Sequence, residues 1–253
     1  MDKPKILLKN LHKDFISNND KLSVLKEINL FVDEGEFISI IGPSGCGKST
    51  IFHILTGLQQ EYKGRVEIGG EPLQKIKKKM SYMHQKDLLM PWRTLIGNVR
   101  LPLELQGYSK KEASNKVKEL LPIFGLEGFE NAYPKELSGG MRQRAALLRT
   151  VLIDSEIMLL DEPFGALDAI NRSKMQEWLL DIWNQFKRTV MFITHDIEEA
   201  IYLSDRIYVL SERPAQIIEE LNIEFSRPRE KDIVVTPEFL KYKKILMNAL
   251  GEI

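Results

Sequence analysis

Five short apolar runs punctuate the chain: KILLK (5–9), EFISII (36–41), IMLLD (157–161), TVMFI (189–193) and RIYVL (206–210). Each is too short for a helix and too continuous for a half-exposed strand, so each reads as a buried strand. Segments with helical spacing alternate with several of them, which predicts an α/β fold with a largely parallel sheet covered on both faces. EINLFV (27–32) and GRVEIGG (64–70) add strand-like pieces with little helix between them, predicting an antiparallel annex in the N-terminal third. Residues 87–150 break the alternation and look helical. In SKKEASNKVKELLPIFGL, Ser109 and Glu112 have capping-box spacing. Ala113, Val117, Leu120, Leu121 and Phe124 follow on one face, and Gly125 ends the helix. After RPRE (227–230), Thr236 reads as an N-cap and Pro237 as a first helical residue. Phe239, Tyr242, Leu246 and Leu250 then share a face expected to pack on the chain's own core. The domain plan is a core built from 1–86 and 151–225, a helical insertion at 87–150 and a tail at 226–253.

Composition narrows the function classes. The 253 residues are 43% hydrophobic, enough for one large domain or a domain with an insertion. Lys+Arg and Asp+Glu are both 36, so the basic excess usual in nucleic-acid binders is missing. KIKKK (75–79) reads as a solvated turn between strands, because no interleaved aromatic offers a base to stack on. Cys46 is the only cysteine, which rules out an internal disulfide and argues against a cysteine-ligated metal. The opening MDKPKILLKN has no apolar signal core, and no run approaches the ~18 residues of a membrane span. The expectation is a cytoplasmic protein that reaches a membrane only through a partner.

The chemistry is concentrated in three places. Gly42-Pro43-Ser44-Gly45-Cys46-Gly47-Lys48-Ser49-Thr50 follows one apolar run and opens a helix, which is the P-loop pattern in its proper context. Its glycines let backbone amides, that of Cys46 included, turn toward phosphates. Lys48 supplies charge to the β- and γ-phosphates of ATP, and Ser49 offers a hydroxyl to Mg²⁺. In IMLLDEP, two carboxylates end a buried strand, where ligands of open α/β sheets bind. Asp161 can hold Mg²⁺, and Glu162 can take a proton from the attacking water. His195 ends the next strand, where it can reach the same rim and bond a γ-phosphate. In ELSGGMRQR, Ser138, Gly139 and Gly140 open a helix in the way that suits a second anion. The alternatives are an ordinary glycine turn at the P-loop, the first turn of a solvated helix at Asp161–Glu162, a structural role for His195, and at Ser138 a capped helix with a glycine turn. His12, His53 and His84 have no partners in spacing and read as structural or solvated.

Taken together, these motifs resemble an ABC-transporter ATPase subunit: the P-loop, Gln85 in YMHQKD, LSGGM (137–141), IMLLDEP (157–163), GALD (165–168) and His195, in the family's order. Met141 stands where the family most often has Gln. The resemblance implies a RecA-like P-loop NTPase core with an antiparallel β subdomain and an inserted helical subdomain. It implies a homodimer in which each ATP lies between one P-loop and the Ser138–Gly139–Gly140 helix start of the other subunit. It assigns Phe15 to adenine stacking, Gln85 to sensing Mg²⁺ and the γ-phosphate, and Asp168 to communication across the dimer. Phe15 as a core residue of the first ribbon is the alternative. LMPWRTLIGNV (89–99), FGALDAINR and RPAQII…RPRE resemble the nitrate/sulfonate/taurine importer group, which has relatives for thiamine-precursor pyrimidines. Met90, Pro91 and Trp92 then form an apolar step facing a transmembrane permease; a turn with a half-buried ring is the alternative. The implied setting is the cytoplasmic face of the cell membrane, with an extracytoplasmic solute-binding protein acting indirectly. A soluble ABC ATPase of DNA repair would need a long coiled-coil insertion for which 253 residues leave no room. Translation-associated ABC proteins carry two cassettes where this chain has one. A lone P-loop kinase would lack LSGGM and His195.

Overall fold

The computed structural model describes residues 3–17, 20–76 and 80–251. Lys77, Lys78 and Lys79 of the KIKKK run lie outside the described residues. Along the chain come β1 (Ile6–Ser17), β2 (Asp20–Val32), β3 (Phe37–Ile41), α1 (Lys48–Leu55), β4 (Lys63–Ile68) and the two-residue β5 (Glu71–Pro72). There follow β6 (Ser81–Met83), α2 (Leu95–Val99), α3 (Leu101–Leu105), α4 (Lys110–Leu120), α5 (Gly139–Val151), β7 (Ile157–Asp161) and α6 (Ala169–Phe186). The last elements are β8 (Thr189–Ile193), α7 (Ile197–Leu203), β9 (Arg206–Leu210), β10 (Ile217–Asn222) and α8 (Pro237–Leu250). The chain forms two compact units, Met1–Met80 with Leu179–Ile253, and Ser81–Trp178, so the division falls within α6.

In the first unit, β3 lies between β8 and β9, parallel to both, and β10 pairs antiparallel with β9. Every residue of β3 and β8 is buried, which is why those strands read as unbroken apolar runs. Phe37 packs edge-on against Trp183, with ring centroids 6.2 Å apart, and beside Phe192 at 5.9 Å. The KILLK run belongs elsewhere. It extends to Ser17 and pairs antiparallel with both β2 and β4, so the parallel sheet does not include it. Bulges interrupt that ribbon, and Asn10 and Glu27 adopt positive φ of 49° and 53° there.

Of the tail's predicted packing face, Phe239 and Leu246 are buried, and Tyr242 and Leu250 are half-buried. Thr236 Oγ1 accepts the Phe239 amide at 3.3 Å. Arg229, its side chain fully buried, donates to the carbonyls of Ile201, Tyr202 and Ser204 at 3.2, 3.0 and 2.8 Å, satisfying the C-terminal end of α7. Lys243 of α8 pairs with Glu198 of α7 at 2.6 Å.

In the second unit β6 runs parallel to β7, with Tyr82 opposite Leu159. The helical stretch holds α2 and α3 of five residues each, α4 of 11 and α5 of 13. The capping box at the start of α4 forms, with Ser109 and Glu112 bonding each other's amides. Pro122 lacks the amide the helix needs next, so α4 stops at Leu120. The turn then closes with the Leu126 amide on Leu121 O at 2.9 Å and the Gly125 amide on Pro122 O at 3.0 Å, Gly125 having φ 58°.

Candidate functional site

The P-loop lies in the first unit, where β3 delivers the chain into α1. Gly42 and Gly47 have φ of 154° and 128°. A Cβ at Gly42 would sit 2.7 Å from Leu210 O, and one at Gly47 would sit 2.8 Å from Val24 Cγ1. Both positions therefore require glycine on backbone and on space alike. No side chain caps α1. Among the described residues the amides of Gly47, Lys48 and Ser49 meet no acceptor, while the Thr50 and Ile51 amides fold back onto Gly47 O at 3.0 and 3.3 Å. Unpaired amides at a helix N-terminus, beside a cation, form an anion cradle. Lys48 is buried and donates to Gly42 O at 2.7 Å and Pro43 O at 2.9 Å, which holds the loop in shape. Ser44 and Gly45 are exposed, Cys46 is buried, and Ser49 and Thr50 are half-buried.

Two further predicted residues belong to the same unit. Phe15 lies on the ribbon opposite Leu22, both exposed, with Lys13 Nζ 4.7 Å from its ring centre. Its exposure removes the core-residue alternative. His195 is exposed just beyond β8. Its two neighbours are fixed by a buried network that the sequence reading missed. Thr194 Oγ1 donates to Glu199 Oε2 at 2.7 Å and accepts the Asp196 amide at 3.0 Å, with Thr194 and Glu199 almost fully buried. Asp196 in turn caps α7, accepting the amides of Glu198 and Glu199 at 2.9 and 3.2 Å.

The second unit carries the carboxylates. Asp161 ends β7 and is buried; Tyr82 donates its hydroxyl to Asp161 Oδ2 at 3.3 Å. Burial first, and the Asp161 charge second, push the Tyr82 phenol well above its ordinary range, so it stays a donor. Glu162 follows with φ 48°, a left-handed conformation unusual for a residue with a side chain. Such outliers persist where surrounding structure enforces them, and they gather at active sites. Here Gln143 Nε2 and the Gly165 amide both donate to Glu162 O, at 3.4 and 3.2 Å. Gln85 Nε2 donates to Glu162 Oε2 at 2.9 Å, so two residues named separately from sequence are joined by a hydrogen bond.

Ser138 caps α5 by accepting the Met141 amide at 3.2 Å, and Ser138 and Gly139 are exposed. Asp168 accepts the Asn171 amide at 3.0 Å at the start of α6; Asn171's backbone and side-chain N–H groups hold its carboxyl below the usual range. Two arginines of α5 grip the segment after Gln85. Arg142 pairs with Asp87 at 3.1 Å, and Arg149 donates to Asp87 O and Leu88 O at 2.7 and 2.9 Å. Fully buried Asn98 then ties down the Pro91–Trp92 turn: it accepts the Met90 amide and donates to the carbonyls of Met90, Arg93 and Thr94, all within 2.7–3.1 Å. Trp92 stands 74% exposed on that rigid turn, which removes the half-buried alternative.

The ABC transporter family profile matches residues 25–165, more than half of the chain. The chain is an ABC transporter ATP-binding protein. As such it binds and hydrolyses ATP. This ABC ATPase is 45% identical over 250 residues to an ABC transporter ATP-binding protein of Methanocaldococcus jannaschii, covering 99% of this chain and 92% of that protein. It is 45% identical over 226 residues to the aliphatic sulfonates import ATP-binding protein SsuB of Bacillus thuringiensis subsp. konkukian, covering 89% of each. The corresponding figures for SsuB of Bacillus subtilis are 43% over 236 residues, 93% and 90%. Its structure superposes on a dimeric ATP-binding cassette, solved in a post-hydrolysis state with ADP and Pi, with a TM-score of 0.79 at 31% identity. That match covers 87% of this chain and all of the other. The α/β P-loop NTPase fold expected from sequence is thereby established. No helix of the described residues is long and apolar enough to cross a membrane.

Proposed function

We propose that this ABC ATPase powers import of a small sulfonate-like anion, working as a homodimer beneath a transmembrane permease at the cytoplasmic face of the membrane. The observation that carries the solute class is the near-complete alignment, at 45% identity, with proteins named as aliphatic sulfonate importers. A thiamine-precursor pyrimidine is the competing solute. An extracytoplasmic binding protein would deliver the solute to the permease and never touch this chain.

Each residue's part follows from its chemistry. Phe15 stacks on adenine. The amides of residues 42–50 and the Lys48 ammonium bind the phosphates. The hard oxygens of Ser49 and Asp161, with the Gln85 side-chain carbonyl, suit Mg²⁺, which takes few protein ligands and keeps water and phosphate oxygens around it. Among the described residues no cluster of three His, Cys, Asp or Glu side chains could cage a metal alone, in keeping with an ion shared with the nucleotide. When bound there, Mg²⁺ would supply charge neutralisation to the phosphates. Glu162, aimed by its strained backbone and by Gln85, accepts the proton of the attacking water, and His195 donates to the γ-phosphate.

The second anion-facing helix start acts on the partner's nucleotide. Gly139 supports this: a Cβ there would come no nearer than 3.9 Å to a neighbour, the Arg142 tip. Nothing within the chain demands glycine at that exposed place, so close approach from outside is the remaining physical reason for it. Asp168, exposed at the start of α6, faces the same partner. Trp92 supports the permease contact as an exposed aromatic anchor on a turn locked by Asn98.

Co-purification with the permease, followed by ATPase assays with the binding protein and either an alkanesulfonate or a pyrimidine, tests the reading. Stimulation by the sulfonate is expected, and stimulation by the pyrimidine alone would overturn the solute. Trp92→Ala should weaken permease assembly about 30-fold, matching an anchor of ~2 kcal/mol, while leaving the melting temperature of the isolated subunit unchanged.

A further inference from the structure

The segment Ser211–Gln216 is absorbed by none of the roles above, yet it lies against the P-loop. Strands β3 and β9 run side by side, with Ile41 opposite Val209, so the P-loop and this segment leave the sheet at one edge. The segment is fixed from both sides. Its ends bond each other, Ser211 N to Gln216 O at 2.9 Å and Gln216 N to Ser211 Oγ at 3.0 Å. Buried Ala215 is laced to β2 through Lys26 N to Ala215 O and Ala215 N to Val24 O, both 2.9 Å. Of these, Val24 also crowds Gly47, together with Leu25.

At the tip of this anchored segment, Arg213 Nη2 lies 3.1 Å from the position a Cβ on Gly45 would occupy. The guanidinium therefore rests on the exposed apex of the P-loop. Among the described residues it makes no hydrogen bond and no ion pair, although its neighbours Ser211 and Gln216 are both bonded. A cation that no carboxylate claims, held by a rigid loop beside unpaired helix-start amides, adds to the field that attracts an anion. Lys48 cannot do this alone from its buried place on Gly42 O and Pro43 O.

We infer that Arg213 is a nucleotide-binding residue of this ATPase, pairing with the phosphates of ATP or ADP at the P-loop apex as a second cation beside Lys48. The inference rests on the assignment of the P-loop as the ATP site. A phosphate-specific role has consequences that a packing role does not. The contribution grows with the phosphate charge of the ligand, tolerates lysine in part and fades with salt, because the guanidinium is exposed.

The test titrates full-length wild type, Arg213→Gln and Arg213→Lys with Mg·ADP and with adenosine by calorimetry, at about 0.05 M and about 0.5 M salt. Arg213→Gln is expected to weaken ADP about fivefold at low salt and less at high salt, with adenosine unchanged. Arg213→Lys should recover part of the loss, and the nucleotide-free melting temperatures of all three should agree. In steady-state assays the KM for ATP should rise while kcat holds. Equal ADP affinity in wild type and Arg213→Gln would overturn the inference and leave the ATP site standing. So would an equal loss for adenosine and ADP. A wild type that binds no ADP would sink the ATP site itself, and the inference with it.

Discussion

Two helix starts in this chain look alike in sequence and differ in structure. At α1 no side chain caps the helix, and Gly47 is required by its φ of 128° and by Val24 pressing on it. At α5 Ser138 caps its own helix through the Met141 amide, and a Cβ on Gly139 would meet only the Arg142 tip, at an ordinary contact distance of 3.9 Å. The first start leaves amides unpaired beside Lys48, so it is built to take a phosphate carried by its own chain. The second spends its Ser138 side chain on the Met141 amide, leaves the Gly139 and Gly140 amides without an acceptor among the described residues, and keeps an exposed glycine that internal packing does not explain. In the proposed dimer it would meet the nucleotide held by the other subunit. Glycine-rich anion sites thus divide into those shaped by internal sterics and those shaped by what docks.

That division can be broken most forcefully by separating binding from chemistry. Lys48→Ala should weaken ATP binding by two orders of magnitude or more, since it removes the cation buried in the cradle. Glu162→Gln should leave binding intact and slow hydrolysis by about 10²–10⁴-fold, the usual loss for a positioned base. Equilibrium binding and phosphate release on the same preparations check both, and near-normal turnover in Glu162→Gln would remove Glu162 from its role.

The glycines give a smaller and opposite pair of effects. Gly47→Ala forces a Cβ into Val24 at a φ that L-residues avoid, so unfolding stability should fall by ~2 kcal/mol or more. Gly139→Ala should leave stability unchanged or raise it by up to ~0.5 kcal/mol while lowering ATPase activity. Denaturant melts and turnover on both variants decide it. If Gly139→Ala keeps full activity, nothing docks on that glycine.

The smallest effect is electrostatic. The Asp168 carboxyl is held below its ordinary range by Asn171, so its folded value is lower than its unfolded value. Its stabilisation is then present above the unfolded value near pH 4 and is lost as pH falls through the folded one. The difference in melting temperature between wild type and Asp168→Asn should be visible at pH 7 and should shrink below pH ~4. A gap that stays constant with pH would contradict the cap's charge dependence.

What the sequence made legible was local. The P-loop glycines, the Ser109–Glu112 box and the Ser138 and Thr236 caps all act within a few residues, and each formed as its spacing required. The illegible parts join distant positions. Arg149 reaches Asp87 O across 62 residues, and the environment of Asn98 exists only after α2 has turned back on Met90. β6 has three residues, too few for any period to show, and KILLK could not reveal that its partners are antiparallel. Thr194 and Glu199 lie close in sequence but look like ordinary helix-start residues until burial makes their hydrogen bond matter.

The central claim is that each ATP is bound by Lys48 of one subunit and Ser138 of the other. Two mixed dimers measured for nucleotide trapping test it most directly. One pairs a Ser138→Arg subunit with a Lys48→Ala subunit; the other pairs a doubly substituted subunit with wild type. In the first, the unaltered Lys48 and the unaltered Ser138 belong to one shared site, so one nucleotide per dimer should be trapped. In the second, each shared site contains one substitution, so none should be trapped. Trapping by the second dimer and not by the first would mean that Lys48 and Ser138 act on one nucleotide within a single chain, and would contradict the account.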